Sequence, residues 1–193
     1  MLKYFILFVA FSLFQTTHLS SAVTVLGNTD AVTCFNHARM GYSSKSSIIT
    51  CRNVFSEKAV SKDVLAGTRV NLGIIYNNGL KPTLALKEFK IAILNKSVES
   101  EALLNQGNSL FLLNDLSGAL EKYDESLKLN IRDSSAVFFN KGLVFEKMNN
   151  MKEAVRFYKK AISLNPNLVL FFNKKKQLIK DGVWDKINER EES

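Results

Sequence analysis

The side chains of this 193-residue chain best able to do chemistry are two cysteines and two histidines. Cys34 and Cys51 stand 17 positions apart, which is not the Cys-x-x-Cys spacing of a thiol oxidoreductase. An even pair in an oxidising compartment reads instead as a structural disulfide, and closing a loop of that length stabilises by about 3 kcal/mol. Two buried free thiols or a redox pair are the alternatives. His18 falls in an N-terminal stretch with the marks of a leader, so His37 alone would serve Ser–His–Asp or Cys–His catalysis, three residues from Cys34. A zinc site is short of ligands for the same reason. Neither a Gly-x-x-x-x-Gly-Lys phosphate loop nor a dinucleotide fingerprint occurs. Glu121 and Asp124 are spaced to share a solvated helix face. We therefore expect no enzyme activity, no metal and no cofactor.

The N-terminal stretch explains why His18 is set aside. Lys3 is the only charge before Asp30, and Tyr4 to Phe14 is apolar apart from Ser12. Gln15 to Ser21 is polar, and Ser20-Ser21-Ala22 ends it as a small-x-small site. That is the layout of a secretory signal peptide cleaved after Ala22. A membrane anchor is disfavoured, because about eleven apolar residues fall short of the roughly 20 that span a bilayer. The expected division is 1–22 signal peptide, 23–181 folded domain and 182–193 charged tail.

The elements that position the remaining residues follow from composition and period. A hydrophobic content of 46% suffices for a core, whereas two prolines and nine glycines give little material for a turn-rich β sandwich. The net charge of +8 is carried late, by Lys152, Arg156, Lys159 and Lys160, then Lys174, Lys175, Lys176 and Lys180. Such a surplus suits a solvated helix face or an anionic partner. An exported protein rarely meets DNA, so we expect no nucleic acid.

Laid on itself, the chain repeats. Glycines recur at Gly73, Gly107 and Gly142, steps of 34 and 35. Twelve residues after each stands Ala85, Ala119 or Ala154; four later come Phe89, Tyr123 and Tyr158; three more bring Ala92, Ser126 and Ala161. Glycine costs about 1 kcal/mol inside a helix, so three in register imply close helix packing with an aromatic filling the wedge. Pro82 suits a first helical position. Asp115 and Asp133 suit N-caps, and Asn150 with Glu153 suits a capping box. Ala31 to Met40 and Lys45 to Phe55, split by Gly41, read as a degenerate hairpin with one cysteine on each helix. Leu168, Phe171, Phe172, Leu178 and Ile179 mark a terminal stripe, with Trp184 a further anchor.

These units resemble the tetratricopeptide repeat, at about 66–99, 100–133 and 134–168. With the leader and the two cysteines, the chain is also similar to small Gram-negative periplasmic repeat proteins. The resemblance implies an all-α, right-handed solenoid of antiparallel hairpins, with the degenerate hairpin at one end and a capping helix at the other. It implies a concave groove lined by the first helices: Val70, Asn71, Ile74 and Asn78; Glu101, Leu104, Asn105, Asn108, Phe111 and Leu112; Phe139, Asn140, Leu143 and Glu146. In family members that grip peptides, asparagines placed like Asn71, Asn105 and Asn140 bond the ligand backbone. Val70 and Ala136 depart from members that clamp acidic tails with lysine or arginine. The implied protein is a periplasmic adaptor, monomeric or weakly dimeric, that takes a peptide or protein segment in an apolar groove unless the C-terminal helix fills it. Membrane association is not required. The alternatives are a structural part of an envelope complex, or an accessory docking an envelope enzyme through its basic late helices.

Overall fold

The order of the helices follows from their end signals. The computed structural model describes residues 18–25, 29–167 and 169–182, with backbone alone at 169–172. Among the described residues there are nine α-helices and no strand: α1 (Thr29–Arg39), α2 (Lys45–Asn53), α3 (Lys62–Asn78), α4 (Pro82–Ala92), α5 (Glu99–Leu112), α6 (Leu116–Lys128), α7 (Ser134–Lys147), α8 (Met151–Leu164) and α9 (Val169–Lys180). Pro82 opens α4, where a missing N–H costs nothing. The Asp115 carboxylate accepts from the Gly118 N–H and the Asp133 carboxylate from the Ser135 N–H. Asn150 accepts from the Glu153 N–H, but the expected reciprocal half of the box is missing. The Glu153 carboxylate turns instead to Arg156, and the Asn150 N–H bonds the Phe145 carbonyl.

Helices pair as α3–α4, α5–α6 and α7–α8 and stack in order into a right-handed solenoid. Each pair closes where glycine meets the aromatic. A Cβ added to Gly73, Gly107 or Gly142 would lie 2.4, 2.3 or 2.4 Å from a ring carbon of Phe89, Tyr123 or Tyr158. Those rings are at most 1% exposed, and Ala85, Ala119 and Ala154 beside them are fully buried. Burial raises the pKa of both tyrosine phenols, with the Glu146 charge adding to it for Tyr158.

Seven residues after each glycine the backbone turns left-handed, at Leu80 (φ 54°), Asn114 (φ 65°) and Asn149 (φ 59°). The following N–H then reaches back to the open helix end, as Lys81 to the Tyr76 carbonyl, Asp115 to Leu110 and Asn150 to Phe145, each 2.9 Å. Asparagine tolerates that conformation and leucine does not. Leu80 is also 73% exposed, so it gains little by packing. Leu80→Asn is expected to raise stability by about 0.5–1 kcal/mol, read as a higher denaturant midpoint with unchanged slope.

The degenerate hairpin is present as α1 and α2, and a disulfide joins the fully buried Cys34 and Cys51. Mass measurement and thiol labelling of the unreduced chain should find no free thiol. Replacing both cysteines by alanine should cost about 3 kcal/mol. Helicity of α5 to α8 should survive, because stability in such arrays is largely nearest-neighbour.

At the other end α9 packs against α8 rather than along the concave face. Leu178 enters the core of the last two units, and Lys174 pairs with Glu146 at 2.7 Å. Ile179 does not share the expected buried stripe; it is 43% exposed, pointing away from that contact. The Leu168, Phe171 and Phe172 side chains, Trp184, residues 1–17 of the expected leader and residues 183–193 of the expected tail lie outside the described residues.

Candidate peptide-binding groove

The concave face carries an occupant, and it is the chain itself. Residues 18–25 run extended along α7, α5 and α3 in that order. Asn140 on α7 brackets Leu19: its Oδ1 accepts from the Leu19 N–H at 2.8 Å and its Nδ2 donates to the Leu19 carbonyl at 2.7 Å. Asn108 on α5 donates to the same carbonyl at 2.9 Å, and Asn105 to the Ser21 carbonyl at 3.1 Å. Asn71 on α3 brackets Val23 as Asn140 does Leu19, with both bonds at 2.8 Å. Residues 19, 21 and 23 therefore face the asparagines, as the two-residue period of an extended chain dictates.

Three of these amides, Asn105, Asn108 and Asn140, have partners of their own besides the segment. Asn71, Asn105, Asn108 and Asn140 are at most 1% exposed. Asn140 Nδ2 also donates to Asn108 Oδ1 at 2.8 Å, and the buried Tyr123 hydroxyl donates to the same oxygen at 2.9 Å. Asn105 is held by the Glu101 carbonyl at 2.8 Å. Buried polar groups with satisfied partners keep one orientation, so these three present pre-set donors and acceptors, whereas Asn71 bonds Val23 alone.

The structure brings together the four expected asparagines, Asn71, Asn105, Asn108 and Asn140. It changes the picture of the apolar residues around them. Val70, Ile74, Leu104, Phe111, Phe139 and Leu143 are at most 5% exposed and belong to the hairpin cores. Leu19 packs on the cluster holding Leu104, Phe111, Phe139 and Leu143, and Ala22 and Val23 on the one holding Val70 and Ile74. The groove is thus floored by amides and roofed by the chain rather than left as an open apolar trough. A glutamate at Phe111 or Phe139 would disrupt folding rather than probe binding. Glu146 is engaged by Lys174 and by the Tyr158 hydroxyl. Asn78 Nδ2 is buried with no hydrogen-bond partner. It lines a cleft of 440 Å³ with His18, Ile74 and Arg39.

His18 carries a pH dependence. Burial lowers its imidazole to about 4, and its Nδ1 has no hydrogen-bond partner. A released segment returns the group to about 6.5. Docking is therefore strongest above that value and weakens as pH falls toward 4, by roughly 3 kcal/mol over the full window. The protection factors of residues 19–23, corrected for the intrinsic pH dependence of amide exchange, should fall on acidification from pH 7 to 4.5, and His18→Gln should flatten that response.

Nothing in the residue pattern alone marks residues 18–25 as an occupant. The small residues Ser20, Ser21 and Ala22 that suit a cleavage site equally suit a strand pressed against a helical floor, and the two readings share one signal. Gly67 makes room for the segment in the structure: a Cβ there would meet Val25 at 2.8 Å and Val23 at 3.0 Å.

The same hairpin geometry recurs in known proteins. A family model for the tetratricopeptide repeat matches residues 135–168. A crystal structure of MamA superposes with a TM-score of 0.58 at 17% identity, covering 86% of this chain and 91% of that one. PilF of Pseudomonas aeruginosa gives 0.60 at 18% identity, covering 83% and 74%. The fold is a tetratricopeptide-type solenoid. A second MamA structure agrees, with a TM-score of 0.54 at 18% identity over 81% and 87%. No curated protein sequence matches the chain. Tetratricopeptide-type arrays are in general non-catalytic scaffolds for protein partners, and α3, α5 and α7 here are the groove-lining helices of such an array. Among the described residues no group of three or more His, Cys, Asp or Glu could hold a metal ion, and no helix is long and apolar enough to cross a membrane.

Proposed function

We propose that the protein is an exported, periplasmic adaptor that grips an extended segment of a partner protein along Asn71, Asn105, Asn108 and Asn140. The observation that carries this reading is the set of six hydrogen bonds between these amides and the main chain of residues 19, 21 and 23, four donated by the amides and two accepted. Each neutral bond contributes about 1 kcal/mol net, so together they hold an extended chain while reading little of its sequence. Leu19, Ala22 and Val23 add apolar contact, packing on the hairpin cores that hold Val70, Ile74, Leu104, Phe111, Phe139 and Leu143.

The test is capture from an envelope extract by the immobilised protein. Asn105→Ala with Asn140→Ala should abolish it at unchanged helicity, and raising the salt from about 0.05 to about 0.5 M should leave it intact. Lys176→Gln with Lys180→Gln should change nothing; Lys174 is unsuitable as a control because it anchors α9 to Glu146.

One observation favours a second reading, docking through the basic late helices. Phe157 stacks with Phe145 and Phe138 at ring-centroid distances of 5.2 and 6.3 Å, and Arg156 and Lys141 sit over its ring. Capture lost by Arg156→Gln with Lys160→Gln and by salt, yet kept by the asparagine variant, would make that face the docking site and overturn the groove.

A further inference from the structure

The segment in the groove spans the bond at which the leader is expected to be cut. Leu19 and Ser21 lie before it, and Val23 and Val25 after it. Cleavage after Ala22 removes the partners of Asn140, Asn108 and Asn105 and leaves only the Asn71 bracket on Val23. What remains stays anchored, since Val25 is 4% exposed among Ala31 and Val54. Cutting at this point would clear the second and third units and keep the first closed.

We propose, building on the adaptor reading, that residues 18–22 are a built-in occupant which blocks the groove until the leader is removed, and that their contacts define the partner segment the processed protein takes. That segment is extended and runs from the third unit toward the first. It carries a leucine-sized apolar residue whose main chain Asn140 brackets, followed by small residues over Asn108 and Asn105, and it ends where Val23 begins. The direction is set by Leu19 at α7 and Ser21 at α5. The leucine requirement comes from the core cluster on which Leu19 packs. The requirement for small residues is read from Ser20, Ser21 and Ala22; Ala22 packs on the first unit's core, and the Ser20 hydroxyl stands 3.5 Å from Asn108 Nδ2.

The probe is a labelled peptide with the sequence of residues 16–22, followed by fluorescence anisotropy. It is offered to the exported chain and to the unprocessed full chain in the same mild detergent. The exported chain should start at Val23 by mass and bind the peptide at least tenfold more tightly than the full chain. Asn105→Ala with Asn140→Ala in the exported chain should weaken binding at least tenfold, and Leu19→Ser in the peptide should do the same. Gly67→Ala in the full chain crowds Val23 and Val25 while leaving Asn105, Asn108 and Asn140 unchanged, and should raise its affinity toward that of the exported chain. Equal binding to both forms, with the asparagine effect intact, overturns the built-in block and leaves the adaptor reading standing. An exported chain that still begins ahead of Leu19 overturns the unmasking in the same way. No binding to either form, with no effect of the asparagine variant on capture from envelope extract, overturns both.

Discussion

Gly107→Leu is expected to cost about 3 kcal/mol or more and to separate the unfolding of the two ends of the array. A single Cβ at this position already falls 2.3 Å from Tyr123 Cε1, inside van der Waals contact, and the ring cannot retreat because it is fully buried. Overpacking a tight contact typically costs about 1–3 kcal/mol, and here the bulk is added between the two helices of the central unit. Thermal or denaturant unfolding, with Lys90→Leu as an exposed control, reads the effect. A shift no larger than that of the control would mean that the glycines do not set the helix approach. The first unit gives a cleaner partition of the same contact. Gly73→Ala and Phe89→Leu should each destabilise, and the double variant should cost less than their sum, because the smaller side chain vacates the place the new methyl needs.

Asn108→Leu should cost about 3 kcal/mol, an unusually large effect for a position on the groove. Asn108 Oδ1 accepts from the Tyr123 hydroxyl and from Asn140 Nδ2, so the change strands two buried donors. Each unsatisfied buried group costs about 1–3 kcal/mol. Adding Tyr123→Phe removes one of the stranded donors and should recover part of the loss. If Tyr123→Phe were equally costly in both backgrounds, the hydroxyl would not be coupled to Asn108. Asn71 offers a contrast: its amide bonds only Val23 among these contacts, so Asn71→Ala should loosen the segment with a smaller effect on the hairpin.

Much of this architecture is legible in the order of the residues alone. A glycine that costs helix stability three times in register has to be explained by packing, and Phe89, Tyr123 and Tyr158 at a fixed offset name what it packs against. The N-caps at Asp115 and Asp133 and the pairing of Cys34 with Cys51 follow from local chemistry in the same way. The asparagines Asn71, Asn105 and Asn140 are visible because they repeat. The Asn108–Tyr123–Asn140 network is not, since it joins residues of different helices and has no period. Phe111 and Phe139 read as groove residues because helical spacing fixes the face of a residue but not the depth to which its neighbours bury it. Residues 18–25 are opaque for another reason. Recognition by a processing enzyme and accommodation in a narrow groove both select short side chains, so Ser20-Ser21-Ala22 carries no information that separates the two.

The direction in which the segment lies has a consequence for the order of assembly. Leu19 meets Asn140 across a sequence separation of 121, in an array whose other packing joins neighbours. Chain synthesis at roughly 5–20 residues per second delivers the N-terminus well before α7. The bracket on Leu19 cannot form until the third unit has left the ribosome. For most of translation residues 18–22 therefore have no third unit to dock on, which leaves them available for recognition as part of an export signal. Once docked, the segment ties the last unit to the first like a strap across a stack. With the strap in place the array should melt in a single sharp transition, and without it from one end.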